Sequence, residues 1–241
     1  MAKQKMPDII ANNIFYHDEV AKDYNSVMDG DEANEWIRRQ VRERFCHLVS
    51  AGRVLDFGGG TGLDLGWLTD AGYKVVFCEP SVGMRKEAME YEERVLGSGA
   101  VHFLEGQATD FSTWEQIPPW EGELDAVLSD FGALNYIPDI AMFFRHMAGR
   151  VRAGGHVLLL VLHLPFAKRW KWHRKNAIVS LLTGSAFRMY IPFKEHRQII
   201  FVHTEKQIVK AAAPWFRHGG TELLVEHDFI LLHLVRNETT D

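Results

Sequence analysis

Two acids and a run of glycines carry the strongest chemical signal in this chain. Val54-Leu55-Asp56-Phe57-Gly58-Gly59-Gly60-Thr61-Gly62 follows a short apolar run and opens a helical stretch. Glycines in such a place let the backbone take positive φ and approach a ligand closely. In open α/β sheets ligands bind beyond the carboxyl ends of the strands, where this loop falls. Gly58, Gly60 and Gly62 follow G-x-G-x-G, whereas the dinucleotide fingerprint is spaced G-x-G-x-x-G. Asp56 stands at the mouth of the loop. A carboxylate there repels a pyrophosphate, which needs bare amides and a helix N-terminus. It suits a ligand bearing an ammonium or sulfonium group. One such pair about 4 Å apart, at an effective dielectric near 20, is worth roughly 4 kcal/mol before desolvation.

The sign of that charge favours S-adenosylmethionine over NAD. Glu79 ends the next apolar run, in Phe77-Cys78-Glu79-Pro80. An acid roughly 20 residues past a glycine loop is where ribose hydroxyls are gripped, and a carboxylate can accept two of them at once. The bland alternative for Glu79 is a solvated strand-end acid. Methyl transfer from a sulfonium is an in-line displacement. It requires near-attack geometry and exclusion of water, and a general base only where the acceptor carries a proton of high pKa. His163, at the end of the fifth apolar run, stands where a pocket base could sit, and reads equally as a satisfied core histidine. Asn135 and Tyr136, just past the fourth run, could touch the acceptor.

The elements that must hold these groups follow from the hydrophobic pattern. The apolar runs Val54–Phe57, Val75–Cys78, Val101–Leu104, Ala126–Leu128 and Val157–Leu162 alternate with helix candidates at Leu63–Ala71, Ser81–Leu96 and Asp139–Val151. Each run is apolar on both faces, as in parallel strands covered by helices on both sides. The pattern predicts an α/β fold: a Rossmann-like, doubly wound sheet of about seven strands, mostly parallel, with an antiparallel edge strand. A helix begins at Asp31, with Ala33, Trp36, Ile37, Val41, Phe45 and Leu48 at helical spacing and Arg38, Arg39, Arg42 and Glu43 on the other side. Before it, the segment to Asp29 is polar with scattered aromatics. Beyond the sheet core, Ala177–Leu182 is a helix candidate. Thr204 could cap a helix running toward Phe216, which Pro214 should cut short, and residues 222–236 read as two strands. We expect a single domain over residues 1–241: a helical cap (1–50), a cofactor-binding core (51–163), a substrate lid (164–203), and a C-terminal helix with edge strands (204–241).

Composition narrows the options. The 46% apolar and 24% charged residues among 241 are the ordinary globular mix and exclude a disordered or fibrous chain. A net charge of −5 gives no global argument for nucleic acid. Cys46 and Cys78 lie far apart and suggest a reducing compartment; no zinc spacing exists and no metal is expected. The N-terminus lacks a signal-peptide core, and the longest apolar run is far short of the roughly 20 residues of a membrane span. A cytoplasmic setting is expected. No signal for an oligomeric state is present.

On these residues the sequence resembles the class I SAM-dependent methyltransferases across residues 50–163. Val54 to Gly62 looks like their first motif. Val76-Phe77-Cys78-Glu79-Pro80-Ser81 with Met84 resembles the second strand and its ribose acid. Leu104-Glu105-Gly106-Gln107-Ala108 resembles the strand end that lies against adenine, with Gln107 where Asp is usual. Asp125 to Asn135, including Ser129, Asp130 and Phe131, is similar to the fourth strand and its loop beneath the methionine half of the cofactor. Val151 to His156 looks like the turn before strand five. Ala21-Lys22-Asp23-Tyr24 resembles the segment of small-molecule members whose aromatic closes over the cofactor. The resemblance implies S-adenosylmethionine as donor and S-adenosylhomocysteine as product. It assigns Tyr24, Asp56, Phe57, Gly58, Gly60, Gly62, Glu79, Pro80, Met84, Gln107, Ala108, Ser129, Asp130 and Phe131 to the cofactor.

The acceptor is less marked. The fourth-strand loop lacks the Asn/Asp-Pro-Pro-aromatic tetrad of amino-methylating nucleic-acid enzymes, and neither cysteine lies in a substrate loop. Nucleic acid is therefore disfavoured and a small-molecule acceptor expected. Residues 163–175 carry five Lys/Arg within eight residues beside two tryptophans. They read as a lid for an acidic or lipid-like acceptor, with peripheral membrane contact through 165–175, or as a solvated basic helix face. The rival functions are an NAD(P)-dependent oxidoreductase and a non-catalytic SAM-binding module that holds a partner through this basic segment.

Overall fold

The computed structural model describes residues 6–28, 31–97, 99–114, 119–193, 196–224 and 228–238. Helices α1 (Met6–Met28) and α2 (Glu32–Leu48) open the chain. The Asp31 side chain caps α2 by accepting from the amides of Ala33 and Asn34, and the helix buries Ile37, Val41 and Phe45. Then follow β1 (Arg53–Phe57), α3 (Leu65–Asp70), β2 (Lys74–Cys78), α4 (Val82–Tyr91), β3 (Val101–Phe103), β4 (Leu124–Ser129), α5 (Ile140–Ala148) and β5 (Val151–Leu162). The chain continues through α6 (Phe166–Trp172), α7 (Arg174–Thr183), β6 (Phe187–Phe193), β7 (His196–Val202), α8 (Glu205–Ala212), β8 (Phe216–Leu224) and β9 (Phe229–Arg236).

Seven strands form one sheet in the order β3-β2-β1-β4-β5-β9-β8. Strands β1 to β5 pair in parallel, and β9 runs antiparallel to both β5 and β8. The terminal hairpin β8–β9 thus closes the expected doubly wound sheet. The period of two along a strand divides its side chains between two cores. Leu55 and Phe57 join the cluster beneath α5 and α8, while Val54 joins the cluster beneath α2 and α3. Asp56 shares the parity of Val54, so it emerges on the α2 side. The reversal of strand order between β1 and β4 puts both strand ends, and the loops after them, at one crevice.

Several boundaries depart from the sequence pattern. Helix α8 starts at a capping box on Thr204 and ends at Ala212, ahead of Pro214, so β8 begins six residues before Glu222, at Phe216. Val151–His156, expected as a turn, belongs to β5; the extra residues are absorbed by a register shift against Leu124–Ala126. In the N-terminal segment Met6–Met28 is a continuous helix, and Phe187–Phe193 pairs with His196–Val202 in a separate two-stranded sheet, β6–β7. Strand β7 alternates: Ile199 and Phe201 pack with Ile9 of α1, while Ile200 and Val202 pack with Leu164, Ala177 and Phe187. The small sheet is therefore held between α1 and the α6–α7 helical hairpin. Among the described residues no helix is long and apolar enough to cross a membrane.

Candidate active site

The loop after β1 is built against its neighbours. The Gly58 amide donates to the Cys78 carbonyl at 2.8 Å, and the residue holds φ +74°. A Cβ on Gly58 would stand 2.4 Å from Ala133 Cβ, so the close approach as well as the dihedral demands glycine. The Gly60 amide donates to Glu79 Oε2 at 3.0 Å, and the Ser81 amide to Oε1 at 2.8 Å. Glu79 therefore ties the glycine loop to the start of α4. Burial pushes its carboxyl up to about 7, although those two amides and Arg85 pull it down. A Cβ on Gly62 would crowd Leu65 and Ala88, which makes this glycine a packing residue between α3 and α4.

A pocket opens beyond this loop, lined by Tyr24, Arg38, Asp56, Gly58 to Thr61, Leu63, Asp64, Asp130 and Phe131. Asp56 is 1% exposed and both its carboxylate oxygens lack a partner. Burial first, then the charges of Asp64, Asp130 and Glu79, hold its carboxyl well above the usual range, with Arg38 opposing. Asp130 is pushed up to about 8 by burial and by Asp64. Its Oδ1 accepts from the Phe131 amide at 2.7 Å, in a residue strained to φ +40°, while its Oδ2 has no partner. Against these carboxylates the pocket sets one cation. Arg38 reaches Asp64 at 3.2 Å and lies 4.5 Å over the Phe131 ring. Buried carboxylates without partners are costly, so the well is electrostatically incomplete. A ligand with one or two positive groups completes it, and a diphosphate worsens it.

Of the predicted cofactor residues, Tyr24, Asp56, Gly58, Gly60, Asp130 and Phe131 converge on the pocket, and Glu79 braces it from behind. Ser129 is buried just ahead of Asp130, with a partnerless hydroxyl. Met84 is buried in α4, its amide capped by the Ser81 hydroxyl, and Pro80 is exposed beside it. The Phe57 side chain turns away into the core, edge-on to Phe143, Phe111 and Trp114. Gln107 is exposed on the turn after β3, and the Ala108 carbonyl accepts from the Trp114 indole at 2.8 Å. Sequence reasoning missed Arg38, Asp64 and Thr61. In the sequence Arg38 reads as part of the polar side of α2, and Asp64 as an ordinary helix-start acid.

Helix α1 covers the pocket. Asp18 Oδ1 accepts from the Ser81 hydroxyl at 2.7 Å and the Gly83 amide at 2.8 Å. Asn25 Oδ1 accepts from the Thr61 hydroxyl. Asn13 pairs with both the amide and carbonyl of Ile199 at 3.0 Å, in the manner of a neighbouring strand. Beneath α1, beyond the acid well, lies an aromatic group. The His17 ring stands edge-on to Tyr16 and Tyr136, each at 5.1 Å, and Gln198 donates to the Tyr136 hydroxyl at 3.0 Å. Burial lowers His17 to about 4, keeping its imidazole neutral. Burial raises Tyr24 to about 12 and Tyr136 further, and Tyr16, Tyr24 and Glu79 all bear on Tyr136.

Two of the expected acceptor-side residues occupy other places. Asn135 spends its amide on the backbone, donating to the Phe201 carbonyl at 3.0 Å and accepting from the Leu162 amide at 2.8 Å. It pins the loop after β4 to β5 and β7. His163 faces Arg169, Glu205 and Asp228 instead of the acid well, and burial lowers it from its ordinary value. Tyr136 does join the aromatic group, edge-on to His17. His17 and Gln198 carried no sequence signal, because their neighbours lie far away along the chain.

A methyltransferase domain family model matches residues 30–212, about three quarters of the chain. Two curated relatives are demethylmenaquinone methyltransferases. That of Paenarthrobacter aurescens is 28% identical over 172 residues, covering 70% of this chain and 60% of that protein. That of Beutenbergia cavernae is 32% identical over 113 residues, covering 47% of this chain and 42% of that protein. The match thus spans about half the length of these relatives. Among solved structures, a complex of DhpI with S-adenosylhomocysteine is similar at TM-score 0.69 and 17% identity, over 96% of this chain and 98% of that one. The Burkholderia thailandensis 1,6-didemethyltoxoflavin-N1-methyltransferase, with its substrate and S-adenosylhomocysteine, is similar at TM-score 0.67 and 16% identity, over 99% and 93%. With the acid-and-glycine cradle in place and the family model matching across it, the chain belongs to the methyltransferase domain family, and it shares the fold of these structures.

Proposed function

We propose that the chain methylates a small planar-ring acceptor held against the aromatic group beneath α1, with the donor in the acid well beside it. The observation that carries the donor's placement is the partnerless Asp56 carboxylate in a buried, carboxylate-rich pocket. The residues fit a zwitterionic methionine group: Asp56 and Asp130 would take its positive atoms, and Arg38 at the rim would take its carboxylate. When bound, the donor supplies a methyl group on a sulfonium, ready for in-line displacement. Tyr24 and Asn25 hold α1 over the loop and keep water out. A diphosphate cofactor would meet the same carboxylates with the wrong sign, which argues against the oxidoreductase reading.

The planar-ring acceptor is supported by the side chains that surround it. Tyr16, His17, Tyr24 and Tyr136 offer faces and edges suited to an aromatic ring. Relatives named for demethylmenaquinone and 1,6-didemethyltoxoflavin point the same way. Donor labelled in its methyl group, incubated with the protein and a cell extract, tests the reading. Label in the low-molecular-weight, solvent-extractable fraction is the expected result. Label confined to protein or RNA would overturn it.

A further inference from the structure

We propose that the outer face of the α6–α7 hairpin docks on an anionic lipid bilayer. Most surface helices turn their apolar stripe inward; α7 does the reverse. It buries only Ala177, while Ile178, Val179, Leu181 and Leu182 are exposed, the last two by 69% and 79%. These four recur at the three- and four-residue spacing of one helical face, together with Arg174 and Lys175. On α6, Phe166 and Trp170 are exposed and packed together at 6.0 Å, and Lys171 is exposed beside them. A contiguous apolar patch of this kind marks an interaction surface rather than ordinary scatter.

Charge identifies the occupant. Residues 163–194 hold seven Lys and Arg and no Asp or Glu, leaving 20 of the chain's 27 basic residues to face all 32 acids elsewhere, a balance of −12. In an acidic protein, this acid-free basic stretch contains a helix whose apolar side chains face outward. Not all of them are available: Lys168 pairs with Asp228 at 2.6 Å, and Arg169 is buried against the Leu164 carbonyl. Lys171, Arg174 and Lys175 remain at the patch. Apolar side chains flanked by Lys, Arg and Trp suit the headgroup–acyl boundary of an anionic membrane. A second copy of the chain on a two-fold axis would instead set the same three cations face to face.

The placement is useful to the enzyme. The cluster of Leu164, Ala177, Phe187, Ile200 and Val202 beneath the hairpin also packs against Tyr136, one of the aromatics proposed to hold the acceptor. Docking would thus set the proposed acceptor position next to the lipid phase. The proposal goes beyond the methyl-transfer reading and is tested without donor or acceptor.

The full chain is sedimented with phosphatidylcholine vesicles that either contain or lack phosphatidylglycerol. Two variants are compared: Leu181→Ser with Leu182→Ser, and Lys171→Glu with Arg174→Glu and Lys175→Glu. Wild type should bind the phosphatidylglycerol vesicles at least about tenfold more tightly than phosphatidylcholine alone. The triple charge reversal should weaken that binding by roughly a hundredfold, from about fivefold per cation. The serine pair should weaken it by about tenfold or more. Both variants should keep wild-type affinity for S-adenosylhomocysteine, which shows that they fold. Wild type that ignores anionic vesicles would overturn the proposal. So would variants that bind like wild type, or a wild-type dimer that these substitutions dissociate.

Discussion

The donor cradle and its cover are made in opposite ways. The cradle is local: Asp56, Gly58 and Gly60 lie within five residues, and Glu79 reaches them from the next strand through backbone amides. Its conformation is over-determined, since a side chain on Gly58 has no room. The cover is distant: Asn13 grips Ile199 across 186 positions, and Asp18 grips Ser81 across 63. The cradle stores unfavourable energy as buried carboxylates, whereas the cover is satisfied, its buried amides and carbonyls paired. Under the proposed function, donor affinity belongs to the first region and acceptor access to the second.

The largest effect should come from the cradle's geometry. Gly58→Ala puts a methyl 2.4 Å from Ala133 in a left-handed residue, and should abolish measurable donor binding in titration calorimetry while the chain still folds. Retained binding would mean that the loop is softer than the cover. Next, Asn13→Ala leaves the buried amide and carbonyl of Ile199 without partners, at about 1–3 kcal/mol. Denaturant unfolding should register that loss. Initial rates should show kcat/KM for the acceptor falling about tenfold, while donor affinity moves less than about threefold. Equal losses for donor and acceptor would erase the division between the regions.

The pH dependence of stability sharpens the same contrast. Glu79 and Asp130 have folded-state values raised to about 7 and about 8, so the folded protein holds protons that the unfolded chain has already released. Stability from these groups is present at low pH and is lost as pH rises through those values. His17 and His233, lowered to about 4, act in the opposite sense, and only below their unfolded value of 6.5. Between pH 6.5 and 8 the acids therefore act alone. The ligand-free protein should lose on the order of 1 kcal/mol across that window, and saturating donor should flatten the slope. A stability that rises with pH there would contradict the carboxylate assignment. The smallest effect is expected in the cover: Tyr136→Phe removes the acceptor of the Gln198 hydrogen bond and should raise acceptor KM a few-fold with donor affinity unchanged.

The two regions also differed in how far the sequence disclosed them. The cradle was legible because short buried strands, a glycine loop and a strand-end acid occur within contiguous segments whose period is unambiguous. Arg38 escaped because an amphipathic helix is read as one apolar and one polar side, and here part of the polar side faces a pocket instead of water. The cover was hidden for a different reason. Helix α1 mixes apolar and polar residues without a clean stripe and is held by side chains whose partners lie on β7 and α4. Strands β6 and β7 form a hairpin with Pro192 inside one strand, which argues locally against a sheet. The apolar run Ile199–Val202 was the available signal. Asn135 was legible as a loop residue in the right place, but its amide proved to be spent on Leu162 and Phe201.

Titration calorimetry of wild type and Asp56→Ala with S-adenosylmethionine, S-adenosylhomocysteine and NADH tests the charge argument at its root. Wild type should bind both adenosyl ligands and not NADH. The substitution should weaken S-adenosylmethionine binding by at least about tenfold while raising the melting temperature of the ligand-free protein, because a buried, unpaired carboxylate has been removed. Unchanged affinity in the variant, or NADH binding that displaces S-adenosylhomocysteine, would contradict the charge argument.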